Sequence, residues 1–445
     1  MKFSDYKGHY ISLIKLGAPI LVGQLGMIVV AFADNIMVGR YSTEALASAS
    51  FVNNVFNLAM FACLGFTYGL TPLIGAMFTQ ERYGKIGAII RNGILANFIF
   101  ALVITLIMGA LWFNLHRLGQ PEELLPLIRP YYLLVLAGII PVALFNVFAQ
   151  WLFAINNTSL PMWIILAANT VNILGNYLLI YGNCGFPELG LIGAGVSTLT
   201  SRILCLATVI LIFIFSRRFR QYRDGFTQSR LNRRTLSQIN RTSFPVSLQM
   251  SLESGSFTFA AVMAGWLGAV SLASFQIIVI TGTLGFCVYY SLGSAVSVLV
   301  SNRAGLSDND GMRRVAFAGY HIMLTLATIS SLIFIFFEKD MILAFTEDPE
   351  VIAATMTLIV PLVLYQLGDA TQINFANALR GTSNVMPMIW IAFVCYVVVG
   401  IPATYMLGFP AGLGTFGIIL SFSASLFLAA GLFLYFFLKS TRKKA

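Results

Sequence analysis

The chain has 445 residues, of which 58% are apolar and only 10% are charged. Soluble domains carry about 25% charged residues, so this composition excludes an ordinary soluble protein and predicts that lipid surrounds most side chains. The formal net charge of +10 comes mainly from basic residues in the loops between apolar runs. That placement indicates membrane topology rather than nucleic-acid binding.

Twelve apolar runs are long enough to cross a bilayer, which takes about 20 mostly apolar residues per helix. The runs are continuous and do not alternate, which excludes a transmembrane β-barrel. In chain order they are 14–38, 46–77, 88–112, 127–153, 162–181, 190–215, 243–267, 272–300, 315–337, 351–378, 387–407 and 414–438. We therefore predict an all-α integral membrane protein with twelve transmembrane helices.

Helices 1–6 and helices 7–12 repeat one another. At an offset of 226 residues Pro19 matches Pro245, and at an offset of 224 Gly190 matches Gly414. Because six helices per repeat is an even number, both repeats enter the membrane from the same side and are parallel. We predict two lobes, 1–215 and 242–445, joined by the linker 216–241, with a central cleft that is typical of transporters.

The linker holds eight arginines and one acid, Asp224, and it sits between the two repeats. With the N-terminus in the cytoplasm, 22 of the 27 lysines and arginines fall on the cytoplasmic side and four on the outer side. This bias predicts that both termini and the linker are cytoplasmic. We interpret the linker as a solvated loop that orients the protein, with lipid-headgroup binding or regulation as the alternative.

Two acids lie inside apolar runs of the second repeat. Glu253 is about 15 Å deep in helix 7, Asp369 is in helix 10, and Tyr365 lies one turn before Asp369 on the same face. Charged residues in the membrane are expensive and mark functional sites, although a carboxylate held by neighbouring helices is the structural alternative. Carboxylates beside a phenol suit a dehydrated monovalent cation or a proton, and the residues leave both open.

A third acid, Asp34, lies towards the outer end of helix 1. Asn172 and Asn176 are one turn apart in helix 5, and Thr198 lies in helix 6. The asparagines are consistent with hydrogen bonding between helices. Together with Asp34 and Thr198 they are the candidates for a polar pocket in the first lobe.

Arg202 is the one basic residue inside an apolar run, about 18 Å deep in helix 6. We expect it to pair with an acid or with carbonyls at a helix end. Five cysteines without CxxC spacing and three scattered histidines argue against a disulfide framework and against a zinc site.

Several stretches carry a resemblance to a known family. They are PILVGQLGMIVVAFADNIMVGR in helix 1, NYLLIYGNCGFPELGLIGAGVST across helices 5 and 6, PVSLQMSLESGSF in helix 7 and YQLGDATQINFANALRG in helix 10. In order and spacing over the full length, the chain resembles the multidrug and toxic compound extrusion (MATE) family, in its NorM-like branch.

The resemblance implies a V-shaped two-lobe fold with alternating access that exports organic cations and drugs in exchange for Na⁺ or H⁺. It assigns the cation site to Glu253, Asp369, Tyr365 and the helix 8 residue Gln276, with Na⁺ held at Glu253 and Asp369 as the only metal. It also supports Asp34, Asn172 and Asn176 as first-lobe pocket residues. Some relatives carry an acid where this chain has Asn176, which favours the second lobe for coupling.

We therefore predict a secondary antiporter of a bacterial-type inner membrane rather than an enzyme. We expect a monomer in membrane lipid that carries small organic cations, uses no cofactor besides its coupling ion and binds no nucleic acid. The alternatives are a lipid-linked precursor flippase of the same superfamily, which needs a cationic cleft, and a membrane-embedded enzyme or receptor. A cation channel is a further alternative, against which the two-lobe repeat argues.

Overall fold

In the computed structural model, residues 6–119 and 121–442 are described, and these residues form helices and connecting turns without a β-strand. Lys2, Lys443 and Lys444, which contribute to the predicted charge bias, lie outside the described residues. The helices as far as the linker are α1 (Lys7–Tyr41), α2 (Thr43–Tyr68), α3 (Leu70–Thr79), α4 (Tyr83–Trp112), α5 (Leu125–Ala137), α6 (Ile139–Ala154), α7 (Ser159–Tyr181), α8 (Leu191–Phe215) and α9 (Arg220–Gln228).

The second half continues in the same manner. Its helices are α10 (Arg233–Trp266), α11 (Ala269–Gly305), α12 (Asn309–Phe336), α13 (Glu338–Leu343), α14 (Pro349–Met356), α15 (Ile359–Gly381), α16 (Met386–Ala392), α17 (Ile401–Gly408) and α18 (Gly414–Ser440). A π-helical segment, Phe393–Gly400, joins α16 to α17.

Ten helices in the described part of the chain, some of them made of consecutive elements, are long and apolar enough to cross a membrane. α14 and α15 meet at a bend of 51° and together form one further, broken span. The predicted span 243–267 is the one that does not meet this test. It falls on α10, which has 34 residues but is interrupted by Gln249, Glu253 and several serines.

The backbone repeats at the positions that the sequence matches. Pro19 lies inside α1 and its counterpart Pro245 lies inside α10. Gly190 directly precedes α8 with a φ of 55°, and Gly414 begins α18 with a φ of 54°. Both values lie in the left-handed region that favours glycine. Both repeats therefore use the same turn into their sixth helix.

Contacts divide the chain into two compact units. The first unit is Val22–Ser247, and the second unit combines Met1–Leu21 with Leu248–Ala445. α1 and α10 therefore each contribute to both units. In each helix the boundary between the units falls two residues after the matched proline, Pro19 or Pro245. The division differs from the predicted lobes 1–215 and 242–445, because the start of α1 belongs to the second unit and the linker to the first.

Specific contacts explain the placement of the N-terminal segment. In the second unit Tyr10 Oη lies 2.9 Å from His321 Nδ1 of α12, and the ring of Tyr6 lies edge-on to His321 at 5.3 Å. Leu292 of α11 packs against Gly17 of α1. These side chains hold the start of α1 against the second half of the chain.

The linker is a packed element of the first unit. Phe219 and Tyr222 are buried beside Trp151, with ring centroids 4.9 Å and 5.4 Å from it. Arg91 of α4 donates to the carbonyl oxygens of Phe226 and Thr227 in the last turn of α9 and of Ser229 directly after it. Most arginines of the linker are exposed, and Asp224 forms a surface ion pair with Arg220 at 3.7 Å.

Two glycines of α4 give a test of this docking. A Cβ at Gly87 would overlap the backbone of Tyr222 and Phe226 in α9, whereas a Cβ at Gly84 would meet no atom within 4 Å. We expect Gly87→Ala to destabilise the protein by about 2–3 kcal/mol, since backbone cannot move aside as a side chain does. Thermal unfolding in detergent measures this, with Gly84→Ala as the matched control. Equal melting temperatures for the two variants would contradict the docking of α9.

Candidate functional site

Glu253 joins α10 to α15 in the second unit. Its Oε2 accepts a hydrogen bond from Gln249 Nε2 at 2.6 Å, one turn earlier in α10, and one from Gln372 Nε2 of α15 at 3.4 Å. Gln372 also donates to Tyr396 Oη at 3.1 Å. The carboxylate is therefore held by side chains from two helices.

Asp369 lies one turn before Gln372 on α15 and is only 2% exposed. Glu253 is the charged side chain with an electrostatic influence on Asp369. Asp369 in turn has an electrostatic influence on the phenol groups of Tyr289, Tyr365 and Tyr396. Its Oδ2 has no hydrogen-bond partner among the described residues. A buried carboxylate oxygen of this kind calls for a cation, a proton or a water.

Aromatic rings line this cluster. Tyr365, one turn before Asp369, lies edge-on to Phe257 of α10 at 6.0 Å between centroids. Phe422 of α18 lies 4.0 Å from Phe257 and 6.5 Å from Tyr396, with which it stacks. We call Gln249, Glu253, Tyr365, Asp369, Gln372 and Tyr396 the second-unit cluster.

Glycines of α11 allow α15 to approach closely beside the cluster. A Cβ at Gly282 would lie 3.0 Å from the ring of Tyr365, and one at Gly285 would overlap the amide of Gln366. Gln366 is fully buried, and neither of its amide atoms has a partner among the described residues. The polar face of α15 is thus enclosed by helix packing, which shields Asp369 from bulk water, whereas Glu253 on α10 is partly exposed.

The structure brings Glu253, Asp369 and Tyr365 together, but it does not bring Gln276 to them. Gln276 is exposed on α11 and forms no hydrogen bond with a member of the second-unit cluster, all of whose residues are described. Its assignment to the cation site therefore has no support from this geometry.

Sequence reasoning missed three members of the cluster. Gln249 is four residues before Glu253 and Gln372 is three residues after Asp369, so helical spacing was a signal that indicated both. Tyr396 had no such signal, because it lies in the π-helical segment. Such segments are rare and often occur at functional sites.

The first unit contains a second polar cluster, made of Asp34, Asn172, Asn176 and Thr198. Asn176 Nδ2 of α7 donates to Asp34 Oδ1 of α1 at 2.5 Å. In the amide orientation that satisfies both of its atoms, Asn172 donates to Asp34 Oδ1 at 2.9 Å and accepts from Thr198 Oγ1 at 3.1 Å. The four predicted residues of this pocket are therefore in contact, and we call them the first-unit cluster.

Close packing of α7 on α8 positions this cluster. Ser197 Oγ donates to the carbonyl of Asn172 at 2.7 Å, and the same hydroxyl occupies the space that a Cβ at Gly175 would need. Asn172 and Asn176 are almost completely buried, with 1% and 0% of their surface exposed. Both amide nitrogens therefore bond to Asp34, while Oδ1 of Asn176 is buried without a hydrogen-bond partner among the described residues.

Arg202 lies against the junction of α5 and α6. Its Cδ is 3.0 Å from the position of a Cβ on Gly138, beside the carbonyl of Val135 at the end of α5. It forms no ion pair with a described carboxylate, but Tyr131 and Asp34 act on it electrostatically. Arg202 therefore lies beside a helix end, but no hydrogen bond to a carbonyl and no ion pair joins it to another described residue, so its expected pairing stays a prediction.

The two clusters and the apolar spans define a class of protein. Polar and acidic side chains enclosed by membrane helices in each of two repeated halves are the arrangement found in secondary transporters. Comparison with protein families agrees, because the MatE family model matches residues 19–178 and 245–406, one match in each half. The chain belongs to the MatE family.

Relatives match over nearly the whole length. A probable multidrug resistance protein NorM of Geobacillus kaustophilus is 28% identical, over 98% of this chain and 96% of that protein. The multidrug resistance protein NorM of Vibrio cholerae is 26% identical, over 91% and 88%.

Solved structures show the same fold. The crystal structure of the eukaryotic MATE transporter AtDTX14 superimposes with a TM-score of 0.89 at 18% identity, over 98% of both chains. A transporter of the MOP superfamily from Pyrococcus furiosus superimposes with a TM-score of 0.86 at 17% identity, over 97% and 96%. The predicted NorM-like MATE resemblance and the predicted two-repeat, twelve-helix fold are confirmed.

Family membership settles the broad class. Members of the MATE family are transporters, so the prediction that the chain is not an enzyme is confirmed. The protein is an integral protein of the plasma membrane.

Proposed function

We propose that the protein is a secondary active antiporter that exports organic cations and drugs by alternating access in exchange for Na⁺ or H⁺. The observation that carries the proposal is the pairing of Glu253 with Asp369 in one enclosed cluster. Glu253 is the charged side chain that influences Asp369 there, and Arg380 is the cation that influences Glu253.

The net charge of such a pair of carboxylates changes when a cation or a proton binds to it. Two neighbouring carboxylates within a membrane bundle are costly to keep ionised together without a bound cation or a shared proton. An organic cation from one side of the membrane and Na⁺ or H⁺ from the other then compete for the same negative charge. Competition for one charge-limited site is what couples the two fluxes, and it requires no cofactor besides the coupling ion.

The surroundings of the pair suit flat organic cations. Tyr365, Tyr396, Phe257 and Phe422 present ring faces and edges beside the carboxylates, and cations are attracted to aromatic faces. The relatives named multidrug resistance proteins support small-molecule substrates of this kind. We propose that the protein works as a monomer in the lipid bilayer.

The negative charge of the second-unit cluster argues against the flippase alternative, which needs a cationic site for pyrophosphate. The superimposed transporter from Pyrococcus furiosus is described as having a binding pocket of reverse polarity that suggests a different function. Pocket polarity therefore separates functions on this fold. Here it favours cation export.

Uptake of ethidium into inverted membrane vesicles tests the proposal. We expect a gradient of the coupling ion, applied alone, to drive accumulation of ethidium in the vesicles, and a gradient of the other ion to have little effect. Vesicles without the protein are the control. Failure of both the Na⁺ gradient and the proton gradient to drive transport would reject the antiporter.

We also propose that both termini and the linker face the cytoplasm, in a bacterial-type inner membrane, as the distribution of arginine and lysine indicates. Single cysteines at Asn114 and Glu338 should react with a membrane-impermeant maleimide from outside intact cells. A cysteine at Ser307 should react only after the cells are opened. Labelling of the cysteine at position 307 from outside would show that the protein has the opposite orientation.

A further inference from the structure

The linker 216–241 has no role in the proposed exchange, yet it is fixed to the first unit at more points than a connection requires. The side-chain oxygen of Asn92 in α4 accepts a hydrogen bond from the backbone nitrogen of Asn232 at 2.9 Å. Arg223 of α9 donates to the carbonyl of Ile214, in the last turn of α8. Together with the burial of its aromatic rings, these contacts give the linker a fixed backbone.

The contacts with α4 place the linker at the membrane surface. α4 has 30 residues and is therefore about 45 Å long, which exceeds the hydrocarbon core of about 30 Å. Its first turns accordingly reach into the headgroup layer, and the linker packs on α4 between Gly84 and Asn92. The linker thus lies at the level of the lipid headgroups rather than in bulk water.

The first part of the linker is strongly basic. Arg217, Arg218 and Arg220 follow directly after the end of α8, and all three are exposed. The acids of this region are Asp224, which pairs with Arg220 at 3.7 Å, and the exposed Glu81 in the turn before α4. We call Arg217, Arg218 and Arg220 the arginine edge.

Exposed apolar side chains adjoin the arginine edge on α8. Phe215, the last residue of α8, is 75% exposed, and Leu211, one turn earlier, is 53% exposed. On a membrane span such side chains face the acyl chains of lipid. Arg217 follows Phe215 by two residues, so a guanidinium lies close to the point where the apolar surface ends. This succession matches a phospholipid, in which acyl chains adjoin a phosphate.

The chemistry of the arginine edge selects an anionic headgroup. A guanidinium binds phosphate through paired N–H donors, and basic residues beside a membrane span attract anionic lipids. A zwitterionic headgroup also carries a cation, which opposes this attraction. Arg218 lies 6.0 Å from the ring centroid of Phe219, which is itself buried, so its position is defined by the fold.

We propose that Arg217, Arg218 and Arg220 bind the phosphate of an anionic phospholipid whose acyl chains lie against Phe215 and Leu211. The linker is thus a lipid-binding element of the first unit as well as a connection between the repeats. The site is separate from both polar clusters, so the proposal does not depend on which ion or substrate the protein transports.

Native mass spectrometry of the full-length protein tests the proposal by counting the lipids that it retains. The protein is taken from detergent micelles that contain equal amounts of phosphatidylglycerol and phosphatidylcholine. We expect the wild type to retain phosphatidylglycerol in preference. Replacing the three arginines of the edge with glutamine should weaken binding of the first phosphatidylglycerol by at least about fivefold, the contribution of one basic side chain near an anionic headgroup.

The matched control is Arg40→Gln combined with Arg117→Gln and Lys339→Gln. It removes the same net charge from three exposed residues outside the linker, and it should retain phosphatidylglycerol as the wild type does. Three lysines in place of the edge arginines keep the charge and should keep most of the preference.

Equal retention of the two lipids by the wild type would overturn the proposal. A glutamine variant that retains phosphatidylglycerol as the control does would also overturn it. Displacement of the lipid by inorganic phosphate, against chloride at the same ionic strength, would indicate a site for free anions instead. Thermal unfolding shows whether the variants are folded, and Arg217→Gln alone, with the same expected loss, decides the matter if the triple variant does not fold.

Discussion

Replacing Asp369 with asparagine, or Glu253 with glutamine, should abolish ion-driven efflux rather than raise the substrate concentration that it needs. Each change removes one negative charge from the pair for which the organic cation and the coupling ion compete. The exchange of one cation for the other is therefore lost. The double variant should be little worse than either single variant, because residues that act as a unit show non-additive effects. Ethidium transport in inverted vesicles under the coupling-ion gradient measures all three.

The matched control for these variants is Glu350→Gln. Glu350 is an exposed acid in the first turn of α14, so its loss changes the net charge equally but leaves the second-unit cluster intact. Its transport should equal that of the wild type. Independent and additive losses for Glu253→Gln and Asp369→Asn would show that the two carboxylates do not form one site.

Asp34→Asn should lower the rate of ethidium efflux by about tenfold while the protein still binds its coupling cation. The substitution removes the charge that accepts hydrogen bonds from Asn176 and Asn172. Hydrogen bonds to charged groups contribute about 1.5–3 kcal/mol, and about 1.4 kcal/mol corresponds to a factor of ten. Vesicle transport and radioactive Na⁺ binding measure the two quantities separately.

The comparison for Asp34 is Glu44→Gln, which removes an exposed acid at the start of α2 and should leave efflux unchanged. An unimpaired rate in Asp34→Asn would mean that Asp34 only holds α1 to α7.

Much of the fold was predictable because bilayer physics acts on each segment separately. A run of apolar residues must form a helix in lipid, since every backbone polar group has to be bonded within it. The span that fell short, on α10, did so because it carries Gln249 and Glu253 and packs polar side chains inward. Departure from apolarity in a predicted span was thus itself a signal of the site.

The repeat was also readable from the sequence, as Pro19 with Pro245 and Gly190 with Gly414 show. Backbone constraints of this kind are local, so the residue type reveals them. The change of unit within α1 and α10 was not readable. It depends on contacts such as Tyr10 with His321, which join residues 311 positions apart.

The sequence by itself determined the helical membrane class, the repeat and the three acids inside apolar runs, because these follow from composition and from periodicity along one helix. Only the tertiary structure decided that Gln372 joins Glu253 to the helix of Asp369, that Tyr396 belongs to the same cluster and that Gln276 does not. Only it placed Arg202 against the junction of α5 and α6. Burial and charge compensation depend on which helices pack together, and that packing comes from the whole chain rather than from any single segment.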